Sequence, residues 1–144
     1  EAKKLRTDLL KRFEISDSEL DAFFAAKHNL KVLKLSEPTS SALVYTNEDE
    51  PYFVDLNGKG VLLPTMYTIW RKPSMLPALP IQAPVSKFVV NGADLMLPGV
   101  AVGIEGGPLQ RAEELPAFER GHCMLIVCIG NPMPIAVGEM LMSK

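Results

Sequence analysis

Gly92-Ala93-Asp94-Leu95-Met96-Leu97-Pro98-Gly99-Val100 decides how the second half of the chain is built. The segment running into it, Pro84 to Asn91, opens with a proline suited to the first turn of a helix, where a backbone N–H has no intrahelical partner. Val85, Phe88 and Val89 follow at i, i+3 and i+4, on one helical face. Gly92 falls where a helix ends in a left-handed residue. Leu95-Met96-Leu97 reads as a short buried strand, and Pro98-Gly99 turns the chain. Glycine at these two bends permits a positive φ and lets the backbone come close to something, either another strand or a ligand.

Downstream, Val100 to Ile104 reads as strand, and 105–120 as a long loop, a candidate functional or mobile segment by its length. Cys123 to Ile129 is a continuous apolar run, the pattern of a strand buried on both sides. Gly130-Asn131-Pro132 turns it. Cys123 and Cys128 lie five apart, so on one strand they face opposite ways and cannot bridge each other. Two buried thiols fit a reducing compartment. His122, Cys123 and Cys128 fall short of the four ligands of a structural zinc site.

Upstream, Pro73, Pro77, Pro80 and Pro84 punctuate a stretch in which helix and central strand are disfavoured. This predicts an extended, stiff linker over residues 73–83, packed against a domain through Met75, Leu76, Leu79 and Ile81. Before it, Pro64 is expected to start a helix carrying Met66, Ile69 and Trp70 inward, with Trp70 in the core. Arg71 and Lys72 complement the negative end of that helix. Leu30 to Leu35, Ala42 to Thr46, Tyr52 to Leu56 and Val61 to Leu63 are strand-like. Turn residues separate them at 37–40, at 47–51 and at Asn57-Gly58. At the start, Leu5, Leu9 and Phe13 share one side of a helix over residues 3–13, and Lys3, Lys4, Lys11 and Arg12 project from the other. Ser16-Asp17-Ser18-Glu19 is a capping box that opens a second helix, with Leu20, Phe23 and Phe24 inward and Asn29 at its end.

These patterns predict an α+β chain: a helix-flanked antiparallel sheet domain over 1–72, the linker, and a second small domain over 84–144. At 144 residues and 47% hydrophobic content, such a chain can bury a core. A net charge of -2 gives no general attraction to nucleic acid, so any phosphate-binding surface is local. No apolar run approaches the ~20 residues of a membrane span. The opening Glu1 and the stop just after a strand read as a piece of a larger protein. No glycine loop ends in Lys-Ser or Lys-Thr, and no serine sits in a nucleophile elbow. Cys128 lies in apolar surroundings that disfavour a thiolate. The sequence therefore carries no catalytic centre, metal or cofactor.

The run from Lys87 to Val100 resembles the signature of the PUA domain, an RNA-binding pseudobarrel. Leu63 to Trp70, then Pro73 and Leu76-Pro77, resembles the segment preceding that domain in the ligatin-like family of translation factors, and Lys3 to Leu9 is similar to the family's opening helix. The resemblance implies a PUA pseudobarrel over 84–144 and a cytoplasmic, non-enzymatic translation factor. Such factors bind the small ribosomal subunit and place or remove tRNA without GTP, in initiation, reinitiation and recycling. It further implies that Gly92 to Val100 meets the tRNA acceptor end. Backbone amides would contact phosphate or sugar, and Leu97 and Val100 would meet unstacked bases. Asp94 would cap the turn amides. By charge alone, Lys87, Arg71 and Lys72 are candidate RNA contacts, and Lys3, Lys4, Lys11 and Arg12 candidate contacts to ribosomal RNA. Two other readings stay open: the docking module of an RNA-modification protein, and a platform for protein partners.

Overall fold

The computed structural model describes residues 2–13, 15–23, 30–35 and 41–144, without the side chains of 2–4 and 22–23. The chain divides into two compact units, Glu1–Met75 and Leu76–Lys144.

In the first unit, helix α1 (Ala2–Phe13) buries Leu5, Leu9 and Phe13, the stripe expected from their spacing. Ser16 and Glu19 form the capping box. The Glu19 amide donates to Ser16 Oγ at 3.3 Å, and the Ser16 amide donates to Glu19 Oε2 at 2.9 Å. It opens α2 (Asp17–Phe23), whose Leu20 is buried. Phe24 and Asn29, the turn at 37–40 and the side chain of Phe23 lie outside the described residues.

The sheet of this unit runs β1 (Lys31–Lys34), β2 (Leu43–Asn47), β3 (Glu50–Asp55), β4 (Leu62–Pro64), antiparallel throughout and in chain order. Its inner face carries Phe53, stacked on Phe13 with ring centroids 5.9 Å apart. The β2–β3 hairpin turns through Glu48 and Asp49, both at positive φ, as a two-residue turn of matching twist requires. The Asn57-Gly58 turn is tied down by buried Asp55, which accepts from the amides of Asn57, Lys59 and Gly60. Pro64 ends β4 and does not start the next helix: Thr65 precedes α3 (Met66–Arg71). Ile69 is buried as expected, but Trp70 is half exposed and packs edge-on against exposed Tyr67, its ring centroid 6.0 Å away.

In the second unit, β5 (Ala78–Ile81), β6 (Cys123–Cys128) and β7 (Ala136–Glu139) form a sheet in that order, β5 parallel and β7 antiparallel to β6. The expected linker over 73–83 is therefore corrected. Met75 ends the first unit in a 3-10 turn, and Ala78–Ile81 is a strand. Its prolines are tolerated because they contribute carbonyls: Pro77 accepts from the Leu125 amide and Pro80 from the Ala101 amide. Neither contact needs the missing N–H, and β5 is an edge strand. Beyond β5, Val100 forms an isolated bridge to Ile81, and Val102 another to Leu109, in place of the continuous strand expected over 100–104. Met124, Ile126 and Cys128 share one core with Leu79, Ile81, Val100 and Leu115. Cys123, also buried, points to the other side of β6, as odd spacing requires.

Candidate nucleic-acid interface

The segment from Pro84 to Val100 is a capped helix followed by an open loop. A 3-10 turn (Ala83–Val85) leads into α4 (Ser86–Val90). Val85 and Val89 pack on the core, but Phe88 stays half exposed, with the Lys87 ammonium 5.0 Å from its ring centroid. The helix ends as its glycine demands. Gly92 sits at φ 86°, its amide donates to Val89 O, and the Ala93 amide donates to Phe88 O. This is the paired closure of a Schellman motif.

Leu95-Met96-Leu97 is not a strand. The chain is extended to Met96, then coils through a 3-10 turn, Leu97–Gly99. Leu95 reaches the core, whereas Met96 and Leu97 are 70% and 65% exposed. Gly99 does not use a positive φ. It is needed for space, since a Cβ there would lie 3.1 Å from both Leu95 Cδ1 and Val85 Cγ1. Gln82 pins the turn from below, its amide donating to Gly99 O and its Nε2 to Pro98 O, both at 3.0 Å.

The open donors are not those of the glycines. The amides of Gly92, Ala93, Gly99 and Val100 are all bonded within the segment. Those of Asp94, Leu95 and Met96, between the two bends, donate to nothing among the described residues.

Six of the residues singled out from sequence line one cavity of about 350 Å³: Gly92, Ala93, Asp94, Leu95, Leu97 and Val100. Leu115 and Phe118 contribute from the long loop, and residues 136–142 form the far wall. The contribution of Leu115 and Phe118 was missed from sequence; the signal was large apolar side chains within the long loop. Pro98, Gly99 and Lys87 lie outside the lining. The charged side chains in the lining are Asp94 and Glu139, so the cavity itself holds no cation.

Two of the basic candidates, Arg71 and Lys72, are already ion-paired within the first unit. Arg71 donates to the Tyr52 hydroxyl at 2.6 Å and to Glu50, and Tyr52 donates to Glu50 at 3.0 Å, closing a three-membered network. Burial pushes the Tyr52 phenol up, and its hydrogen bond to Glu50 adds to that. Lys72 is paired with Glu19. Lys11 and Arg12 are exposed on α1, Arg12 lying 5.8 Å from the Phe13 ring centroid. The side chains of Lys3 and Lys4 are outside the described residues. Arg6, which the sequence did not single out, bridges Asp17 and Asp21 at 2.6 Å each. His122 accepts from the Glu119 amide at Nδ1, 3.2 Å away. Among the described residues, no group of three metal-ligating side chains assembles, and no helix is long and apolar enough to cross a membrane.

Comparison with known proteins matches residues 1–73 to the family described as "Pre-PUA-like domain" and residues 76–144 to "elF2D, PUA domain". Eukaryotic translation initiation factor 2D of Rattus norvegicus is 36% identical over 143 residues, covering 98% of this chain and 23% of that protein. The Homo sapiens protein of that name is 32% identical with the same coverage. Translation machinery-associated protein 20 of Saccharomyces cerevisiae is 23% identical over 139 residues, covering 96% of this chain and 71% of that protein. The chain thus spans about a quarter of the length of the factor 2D relatives. In fold it is similar to a conserved PUA domain protein from Thermoplasma acidophilum, with a TM-score of 0.64, 18% identity, and coverage of 99% of this chain and 76% of that one. A hypothetical protein from Pyrococcus horikoshii gives 0.58 at 19% identity, covering 95% and 79%. A pre-PUA domain joined to a PUA domain over the whole length places this chain in the family to which the N-terminal region of eukaryotic translation initiation factor 2D belongs.

Proposed function

We propose that this chain is the RNA-facing N-terminal part of a non-enzymatic, cytoplasmic translation factor that binds the small ribosomal subunit and the acceptor end of tRNA. In this reading it serves GTP-independent tRNA delivery, reinitiation or recycling. The observation that carries the proposal is the cavity of the PUA-like unit, which gathers six residues of the motif beside three unpaired amides. An unstacked base fits an apolar wall such as Leu97 and Val100, and backbone amides can serve a sugar or phosphate without reading sequence. The lining has no cation, so phosphate charge must be met outside it, and Lys87, on α4, is the candidate. Lys3, Lys4, Lys11 and Arg12 are proposed contacts to ribosomal RNA. Arg71 and Lys72 are weaker RNA candidates, since Glu50 and Glu19 already hold their charges.

The apolar, cation-free lining favours one second reading, a platform for protein partners. Salt separates the two: RNA affinity falls steeply with ionic strength, and an apolar protein contact barely responds. The direct test is footprinting of tRNA and small subunit with the wild-type chain and with Leu97→Asp. Leu97 is 65% exposed, so a charge there spares the core. Loss of 3′-end protection in the variant is expected; unchanged protection removes the cavity from the function.

A further inference from the structure

β1 is the one described strand whose residues are all exposed, and it is an edge of its sheet. Among the described residues nothing pairs with its outer side. Its ladder to β2 includes a bond from the Leu35 amide to Ala42 O. Bonded positions alternate in an antiparallel pair, so Leu33 and Lys31 also bond toward β2. Val32 and Lys34 therefore turn their N–H and C=O groups outward, where nothing among the described residues pairs with them.

The side chains make this edge unusual. A row of four aliphatic residues in register, Leu33, Val44, Val54 and Leu63, crosses one face of the sheet and stops in solvent at Leu33, 51% exposed. On the other face Val32 is 43% exposed. An edge that is apolar on both faces is a template for an added strand. Lysines flank it. Lys31 pairs with Asp49 at 3.0 Å, which shows that this edge already holds a carboxylate, and Lys34 has no acid partner among the described residues. A second copy of β1 would crowd four lysines along one short ladder, which like charges oppose.

We propose that β1 is a docking edge for an extended segment of a protein partner that carries aliphatic residues alternating with carboxylates. The segment adds a fifth strand, closes the Val32 and Lys34 backbone groups, covers Leu33, and sets an acidic side chain against Lys34. This is independent of the RNA reading of the other unit.

The test uses this chain and two synthetic eight-residue peptides, one alternating Val and Glu, the other Val and Lys. Amide hydrogen exchange is followed by NMR. The acidic peptide is expected to slow exchange at Val32 and Lys34, and the basic one to leave both unchanged. Val32→Pro removes one outward N–H without touching the β2 ladder, and should abolish the protection while Leu33 stays protected. Lys34→Glu should weaken the acidic peptide about fivefold to tenfold, the range of a reversed cross-strand charge pair. Equal protection by both peptides, protection by neither, or concentration-dependent self-association that Val32→Pro abolishes would overturn the proposal.

Discussion

Lys72 gives its ammonium to Glu19, 53 residues earlier in the chain, and the same carboxylate closes the capping box on the Ser16 amide. These contacts hold the Glu19 carboxyl at about 2, below its ordinary 4.5, with Lys72 the largest cause and the Ser16 amide and hydroxyl next. A carboxyl depressed in the folded state stabilises the fold where it is ionised. That contribution is complete above 4.5, fades as pH falls, and is gone below about 2. Glu19→Gln should therefore melt below wild type at neutral pH, and the gap should close between 4.5 and about 2. Thermal melts followed by circular dichroism across that interval check it; a gap independent of pH would detach Glu19 from the acid response.

The glycines differ in what a methyl group would meet. Gly92, at φ 86°, has nothing within 4 Å of an added Cβ, so Gly92→Ala costs only the left-handed backbone, about 1 kcal/mol. Gly58, at φ 65°, would place its Cβ 2.7 Å from the Ser41 carbonyl oxygen, a backbone atom that cannot swing aside. Gly58→Ala should cost both terms, roughly 3 kcal/mol, since strain at such a position adds ~1–3 kcal/mol. Urea unfolding of the two variants checks the order; equal losses would mean that the Ser41 contact relaxes freely.

What was legible in the sequence was local. The capping box, the α1 stripe, the Gly92 helix end and the apolar run of β6 each follow from neighbours within a few residues, and each stands in the structure. β5 was hidden because its partner comes much later: Ala78 pairs with Leu125, and prolines along it argued for a linker. The same blindness concealed the cavity's far wall, brought to Gly92–Val100 by the pairing of β7 with β6. Leu95-Met96-Leu97 failed for another reason. Hydrophobicity alone was read as burial, yet Met96 and Leu97 face solvent. Trp70 was misplaced on the same ground.

Buried Asp55 is the staple of the 56–60 turn, with amides at 3.2, 3.2 and 2.6 Å on its two oxygens. Asp55→Ala deletes all three charge-assisted bonds and should cost about 2–3 kcal/mol, while Asp55→Asn keeps one acceptor oxygen and should cost about half. Chemical denaturation of both variants measures this. If alanine and asparagine were equivalent, the amide contacts would carry none of the stability.

Arg71 and Lys87 separate a cation held in a local network from one proposed to contact RNA. Arg71 lies 5.2 Å from the Tyr52 ring centroid and is ion-paired to Glu50, each about half exposed. An exposed pair of this kind is worth under ~1 kcal/mol, and the ring contact adds a similar amount. Arg71→Gln should thus lower stability by about 1 kcal/mol. Its charge is already compensated, so tRNA affinity should move little. Lys87 rests on the exposed ring of Phe88 with no acid beside it, so Lys87→Gln should lower stability by only about 0.5 kcal/mol, the worth of an exposed ring contact, and reduce the slope of log affinity against log salt by about one. Filter binding of tRNA over a salt series, run beside thermal melts, gives both readouts for both variants. The opposite pattern, with Arg71→Gln flattening the salt slope and Lys87→Gln leaving it intact, would move the phosphate contact to the Tyr52–Glu50 network and away from Lys87.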